Sequence, residues 1–99
     1  MKTELHKTET ELTVFVEGRI DALTAPDLEN ELKEQLADAT KVILDFAAVT
    51  FISSAGIRII LWTAAQMNNR QGTMVLRNVS DTVMEVFVLT GLDTALNFE

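Results

Sequence analysis

"KVILDFAAVTFISSAGIRIILW", residues 41–62, decides the fold. Its opening, 41–46, is nearly all apolar and β-branched, the pattern of a strand covered on both faces. After a short connection come Ser53, Ser54, Ala55 and Gly56, and then a helix predicted over about residues 54–70 and closed by Gly72. A covered strand feeding a helix is the first half of a parallel crossover unit. Ser53 or Ser54 is well placed to cap that helix, its hydroxyl accepting from a backbone N–H two or three residues on. One cap does not account for two serines, so a site of modification or recognition stands beside the capping reading.

Working outward, "TMVLRN" (73–78) is a further strand, and Ser80 caps a third helix running to about Thr90, with Gly91 as its stop. Asn97–Glu99 read as the beginning of an edge strand. Toward the N-terminus, 4–9 and 11–17 form two strands of a hairpin. Leu12, Val14 and Val16 alternate with Thr13, Phe15 and Glu17, and Gly18 ends the second strand. "TAPDLENELKEQLADA" (24–39) is a helix with Thr24 as N-cap, Pro26 and Asp27 in its first turn, and a Leu28, Leu32, Leu36 stripe. The order β-β-α-β-α-β-α, with a possible last β, predicts one α/β domain over residues 1–99. Its small mixed sheet starts as a β-hairpin, continues with parallel strands and carries helices packed on it.

Composition excludes several functions. The 99 residues carry a net charge of −7 with the eight basic residues scattered, which opposes binding to a phosphate backbone. Without cysteine there is no disulfide, thiol nucleophile or thiolate metal site. "MKTELHKTE" is polar throughout and Arg58 interrupts the densest apolar run, so neither a signal peptide nor a membrane span is read, and the expected location is cytoplasmic. His6 is the only histidine and has no nucleophile near it in sequence. No phosphate-binding glycine loop, nucleophile elbow or calcium-loop pattern occurs, so no catalytic residue, metal ligand or cofactor is assigned.

On a wheel of about 100° per residue, the helix after the serines places Ile57, Ile60, Leu61, Ala64 and Met67 on a core face. Arg58, Gln66, Asn69 and Arg70 lie opposite, together with Ile59 and Trp62. Tryptophan and arginine are favoured as interface anchors, which makes Trp62 a candidate anchor; a covering loop or tail is the other reading.

"VILDFAAVTFISSAGIRIIL" (42–61) resembles the central signature of the STAS domain, specifically of the single-domain bacterial anti-sigma factor antagonists. "VEGRIDALTAPDLENEL" (16–32) is similar to the family's Gly-x-[Leu/Ile]-Asp strand end and following helix, and "VSDTVMEVFVLTGLD" (79–93) to its third helix and Thr-Gly-Leu ending. The resemblance implies a binding module and not an enzyme. Such an antagonist captures an anti-sigma factor that is usually also a serine kinase, and so releases a sigma factor; phosphorylation ends the capture and a serine phosphatase restores it. Carried over by position, Ser54 is the phosphoacceptor, with Ser53 as second choice in the place where several relatives have aspartate. The implied partner-binding surface comprises Gly18, Arg19, Ile20, Asp21, Ser53, Ser54, Ala55, Gly56, Arg58, Ile59 and Trp62. The tail stops near the last strand, where the family commonly continues into a final helix.

Two other classes compete. One is a non-phosphorylated STAS subunit of a transport or stress-sensing complex, with Ser54 only a cap. The other is a small-ligand sensor at the strand ends, which α/β sheets support.

Overall fold

The computed structural model describes residues 1–99. The elements are β1 (Lys2–Lys7), β2 (Glu11–Ile20), α1 (Ala25–Gln35), β3 (Lys41–Ile52), α2 (Ser54–Asn69), β4 (Thr73–Arg77) and α3 (Asp81–Leu89). The sheet order is β1-β2-β3-β4, antiparallel between β1 and β2 and parallel thereafter, the mixed sheet that the sequence predicts. Alternation along the strands sends Leu12, Val14, Val16, Val42, Leu44, Phe46, Met74 and Leu76 into one apolar cluster. Leu28 and Leu32 of α1, Ile57, Ile60 and Met67 of α2, and Val83 and Phe87 of α3 complete it. All three helices thus pack on the same face of the sheet.

The other face carries no helix. Ile43 and Val75 are buried there outside the main cluster. The expectation that β3 is covered on both faces therefore holds for Val42–Phe46, every residue of which is buried although helices pack on one face alone. On that face Phe15 meets the His6 ring edge-on at 5.3 Å, and the Arg77 guanidinium lies 5.9 Å from its centroid.

Several predicted boundaries move, each for a local reason. β1 occupies Lys2–Lys7 and not 4–9, because Thr8 and Glu11 already close the turn, the Thr8 N–H donating to the Glu11 carbonyl at 2.9 Å. Gly18 does not end β2. With φ of +97° it takes a conformation costly for other residues, and the ladder shifts register around it and continues to Ile20. α1 stops at Gln35; Arg70 donates to the carbonyls of Leu36 and Ala37 and so satisfies the end of that helix. The left-handed residue after α2 is Gln71, whereas Gly72 is required for space: a Cβ there would lie 2.7 Å from the Thr40 carbonyl oxygen. α3 is as read, with Ser80 Oγ accepting from the Val83 N–H and Gly91 left-handed at its end. The tail adds a single parallel bridge, Leu76 to Phe98, at the predicted edge.

Asp45, where the β3 run turns polar, is 4% exposed and fully engaged. Its Oδ1 accepts from the Ala47 N–H at 3.0 Å, and its Oδ2 accepts from Arg77 Nε at 3.1 Å and Asn78 Nδ2 at 3.0 Å. Burial alone would raise its pKa. The Ala47 N–H, Arg77 and Asn78 outweigh it, and the carboxyl is held below its ordinary value of 3.8. A depressed folded pKa contributes stability above the unfolded value, and that contribution is lost as pH falls below 3.8 and through the folded value. Asp45→Ala strands these donors and is expected to cost about 2 kcal/mol at pH 7. In urea melts the deficit should shrink as the buffer is taken below pH 3.8; a constant deficit would show that the carboxylate charge is not what stabilises.

Candidate functional site

The end of β2 and the start of α2 meet at one edge of the molecule. The Ser53 N–H donates to the Ile20 carbonyl at 2.9 Å, and the Ile57 N–H donates to the Ser53 carbonyl at 3.0 Å, the first bond of α2. Ser53 is the N-cap by position, with extended backbone, yet its Oγ makes no capping bond and is buried without a partner. Ser54 is the first helical residue and is exposed. The expected hydroxyl cap is thus not made: Ser53 holds the cap position through its backbone alone, and the exposed Ser54 hydroxyl has no partner within the chain.

Gly56 makes this junction possible. A Cβ at that position would lie 2.7 Å from Ile20 Cγ2, 2.7 Å from Ile52 Cγ1 and 3.2 Å from the Ile20 carbonyl oxygen. Only glycine lets the first turn of α2 press against the end of β2.

Beside the serines, Arg19 and Phe51 are register partners, with the Arg19 guanidinium 4.1 Å from the ring centroid. Arg19 Nε is also 3.7 Å from Asp21 Oδ2. Asp21 organises the turn into α1: its Oδ1 accepts from the N–H groups of Leu23 (3.0 Å) and Thr24 (3.1 Å). The Thr24 N–H, opposed in part by burial and joined by the Leu23 N–H, the Thr24 hydroxyl and Arg19, holds the Asp21 carboxyl below its ordinary value. It is thus ionised at neutral pH. Thr24 does not cap α1 with its side chain as expected; its Oγ1 donates to the Arg19 carbonyl and accepts from the Asp21 N–H instead.

This turn lifts Leu23 into solvent, 87% exposed, while Phe51 remains 38% exposed at the end of β3. Neither is marked by the sequence pattern. Leu23 lies in a turn with no periodicity to betray it, and Phe51 follows register shifts that undo strand alternation.

The predicted site residues divide clearly. Arg19, Asp21, Ser53, Ser54 and Ala55 lie where the end of β2 meets the start of α2, with Arg58 one turn beyond Ser54 on the exposed side of that helix, whereas Gly18 pairs with Val49 further back in the sheet. Ile20 and Ile59 are 0% and 1% exposed, so their side chains belong to the core and cannot present themselves to a partner. Gly56 is likewise buried and acts through close packing. The predicted wheel was turned: the buried residues of α2 are Gly56, Ile57, Ile59, Ile60, Thr63 and Met67, and Leu61 is 41% exposed. Trp62 is half-buried on the flank, its ring packed against the core and 5.7 Å from Lys33 Nζ of α1. It is not a freely projecting anchor.

The single histidine lies away from the serines: His6 of β1 pairs with Thr13, at the opposite end of β2 from Ile20, and Glu4 Oε1 is 3.7 Å from its Nε2. Two open clefts, of about 380 and 320 Å³, lie elsewhere, one between α2 and the tail and one beside Asp45; neither includes Ser54. No three His, Asp or Glu side chains gather as a metal site, and no helix is long and apolar enough to cross a membrane.

Comparison with known proteins adds the family. The model described as the STAS domain matches residues 2–99. BtrV of Bordetella bronchiseptica, a candidate anti-sigma factor antagonist by its name, is 35% identical over 92 residues, covering 92% of this chain and 79% of its own. The anti-sigma-B factor antagonist of Listeria monocytogenes is 28% identical over 89 residues, covering 89% of this chain and 78% of its own. Among solved structures, the anti-sigma factor antagonist SpoIIAA in its unphosphorylated form superposes with a TM-score of 0.85 at 21% identity, over 99% of this chain and 88% of that one. That likeness bears on the fold.

Proposed function

This chain belongs to the STAS domain family, and on that premise we propose that it is an anti-sigma factor antagonist switched by phosphorylation of Ser54. In its free form it captures an anti-sigma factor that doubles as a serine kinase, and so releases a sigma factor. The kinase forms an ester between Ser54 Oγ and the γ-phosphorus of ATP; the hydroxyl proton leaves, ADP departs and the complex separates. A phosphatase hydrolyses the ester with water, returning serine and inorganic phosphate. The protein itself supplies no catalytic group.

One observation carries this reading: Ser54 is exposed at the start of α2 while its neighbour Ser53 takes the cap position. Around it Arg19, Phe51, Leu23 and Asp21 offer a mixed charged and apolar shelf, the composition of a protein interface. A phosphate on Ser54 meets the free N–H groups and positive end of a helix, so the folded domain tolerates it. The penalty falls on the complex, where about −1.5 to −2 charges must be desolvated or face like charge.

The test is mass spectrometry of the tryptic peptide Val42–Arg58 from protein taken out of its own cells in several growth states. Phosphate on Ser54 that varies with growth state is the expected result. A peptide unmodified in every state would favour the constitutive subunit of a larger complex, with Ser54 reduced to a helix residue.

A further inference from the structure

We propose that Arg58 is the built-in counter-ion of a phosphate on Ser54, holding the ester on the surface of α2 in the released form. The proposal rests on the phosphorylation reading and adds to it the group that receives the charge.

Ser54 and Arg58 are both exposed and stand four residues apart on one helix. Side chains so spaced have Cβ atoms about 5–6 Å apart, and an acid N-terminal to a base is the favourable orientation. Helical side chains lean toward the N-terminus, so an arginine at 58 extends back over the turn that carries 54. Its planar fork suits two phosphate oxygens at once.

Arg58 is also unengaged. The chain's ion pairs join His6 with Glu4, Arg19 with Asp21, Lys33 with Glu29, and Arg77 with Asp45. Arg70 serves the α1 carbonyls and Arg19 lies on Phe51. Arg58 has neither a carboxylate nor a hydrogen-bond acceptor, and no acid lies in the first turn of α2, whereas α1 and α3 carry Asp27 and Asp81 there. A phosphate on Ser54 gives Arg58 a partner and places an anion in the first turn of α2, where the macrodipole favours it. Arg58 thereby marks the difference between free and modified forms: unpaired and available to an acidic group of the partner in one, occupied by the phosphate in the other.

The experiment uses the full chain with phosphoserine installed at position 54 during synthesis, so that it is independent of any kinase. Phosphorus NMR follows the second ionisation of the phosphate, which is near pH 6 for an unpaired phosphoserine. With Arg58 present the midpoint should lie about half a unit lower than in Arg58→Gln, with Arg58→Lys between the two. Both variants alter an exposed side chain, and a matching melting temperature in the unmodified form checks the fold. Equal midpoints in Arg58→Gln and the parent overturn the proposal. So does a midpoint that Arg19→Gln raises and Arg58→Gln does not, which would give the phosphate to Arg19. Either result leaves the phosphorylation reading standing, since that reading fails only if Ser54 is never modified in cells or its modification leaves capture unchanged.

Discussion

Ser54→Asp is expected to weaken capture of a kinase-type anti-sigma partner roughly a hundredfold or more, about 3 kcal/mol. The replacement should leave the free protein intact. Residue 54 is exposed at the first position of α2, where an acid suits the helix dipole and no packing is disturbed. The whole effect then lies in the complex, where a carboxylate pressed into a docked surface must be stripped of water or set against like charge. Ser54→Ala separates charge from contact: it removes the acceptor and should retain capture within a few-fold. Calorimetric titration of the three forms against the purified partner is the measurement. Affinity unchanged by aspartate would mean that residue 54 lies outside the interface, and the proposed switch would have to be abandoned.

Gly56→Val should destabilise the domain by about 3 kcal/mol, lowering the melting temperature by more than about 10 °C. A valine gains helix propensity over glycine by a fraction of a kcal/mol, which opposes the loss but is far too small. The new Cβ alone falls within 2.7 Å of Ile20 and Ile52 side-chain carbons, and neither β-branched residue can swing away without leaving the core. α2 must move outward, and the Ser53 N–H bond to Ile20 lengthens with it. Gly56→Ala isolates the first part of this effect and should cost less, about 1 kcal/mol net. Thermal melts of both variants give the comparison; a valine variant as stable as the parent would show that this junction is far looser than its geometry.

Much of the architecture could be read in the chain, and the failures have local causes. Ser80 and Gly91 bracket α3 because each acts through its own chemistry, a hydroxyl on an N–H and a left-handed turn. Thr24 misled because its hydroxyl has a better offer across the turn, from Arg19 and Asp21. Gly18 resembles a stop, yet a sheet can use a left-handed glycine to shift register and continue. The buried face of α2 departs from the wheel because its apolar residues outnumber those the core accepts: Thr63 is buried, its Oγ1 donating to the Ile59 carbonyl, while Leu61 stays outside. For the site, the serines, Gly56 and the Gly18–Asp21 stretch were legible. The exposure of Leu23 was not, because it follows from the local turn held by Asp21, nor was the stacking of Arg19 on Phe51, which depends on where two distant strands halt beside one another.

The way the sheet is joined has a consequence for when this surface comes into being. Only β1 and β2 are linked by a tight turn; β2 meets β3, and β3 meets β4, across a helix each time. Pairings so distant in the chain form late in folding, after local structure has appeared. Arg19 reaches Phe51, and Ile20 reaches Ser53, by such pairings. A nascent or partly unfolded chain therefore displays the serines without the shelf beside them. Under the proposed switch, a kinase that read Ser54 together with Arg19 and Phe51 would mark finished molecules and pass over unfinished ones.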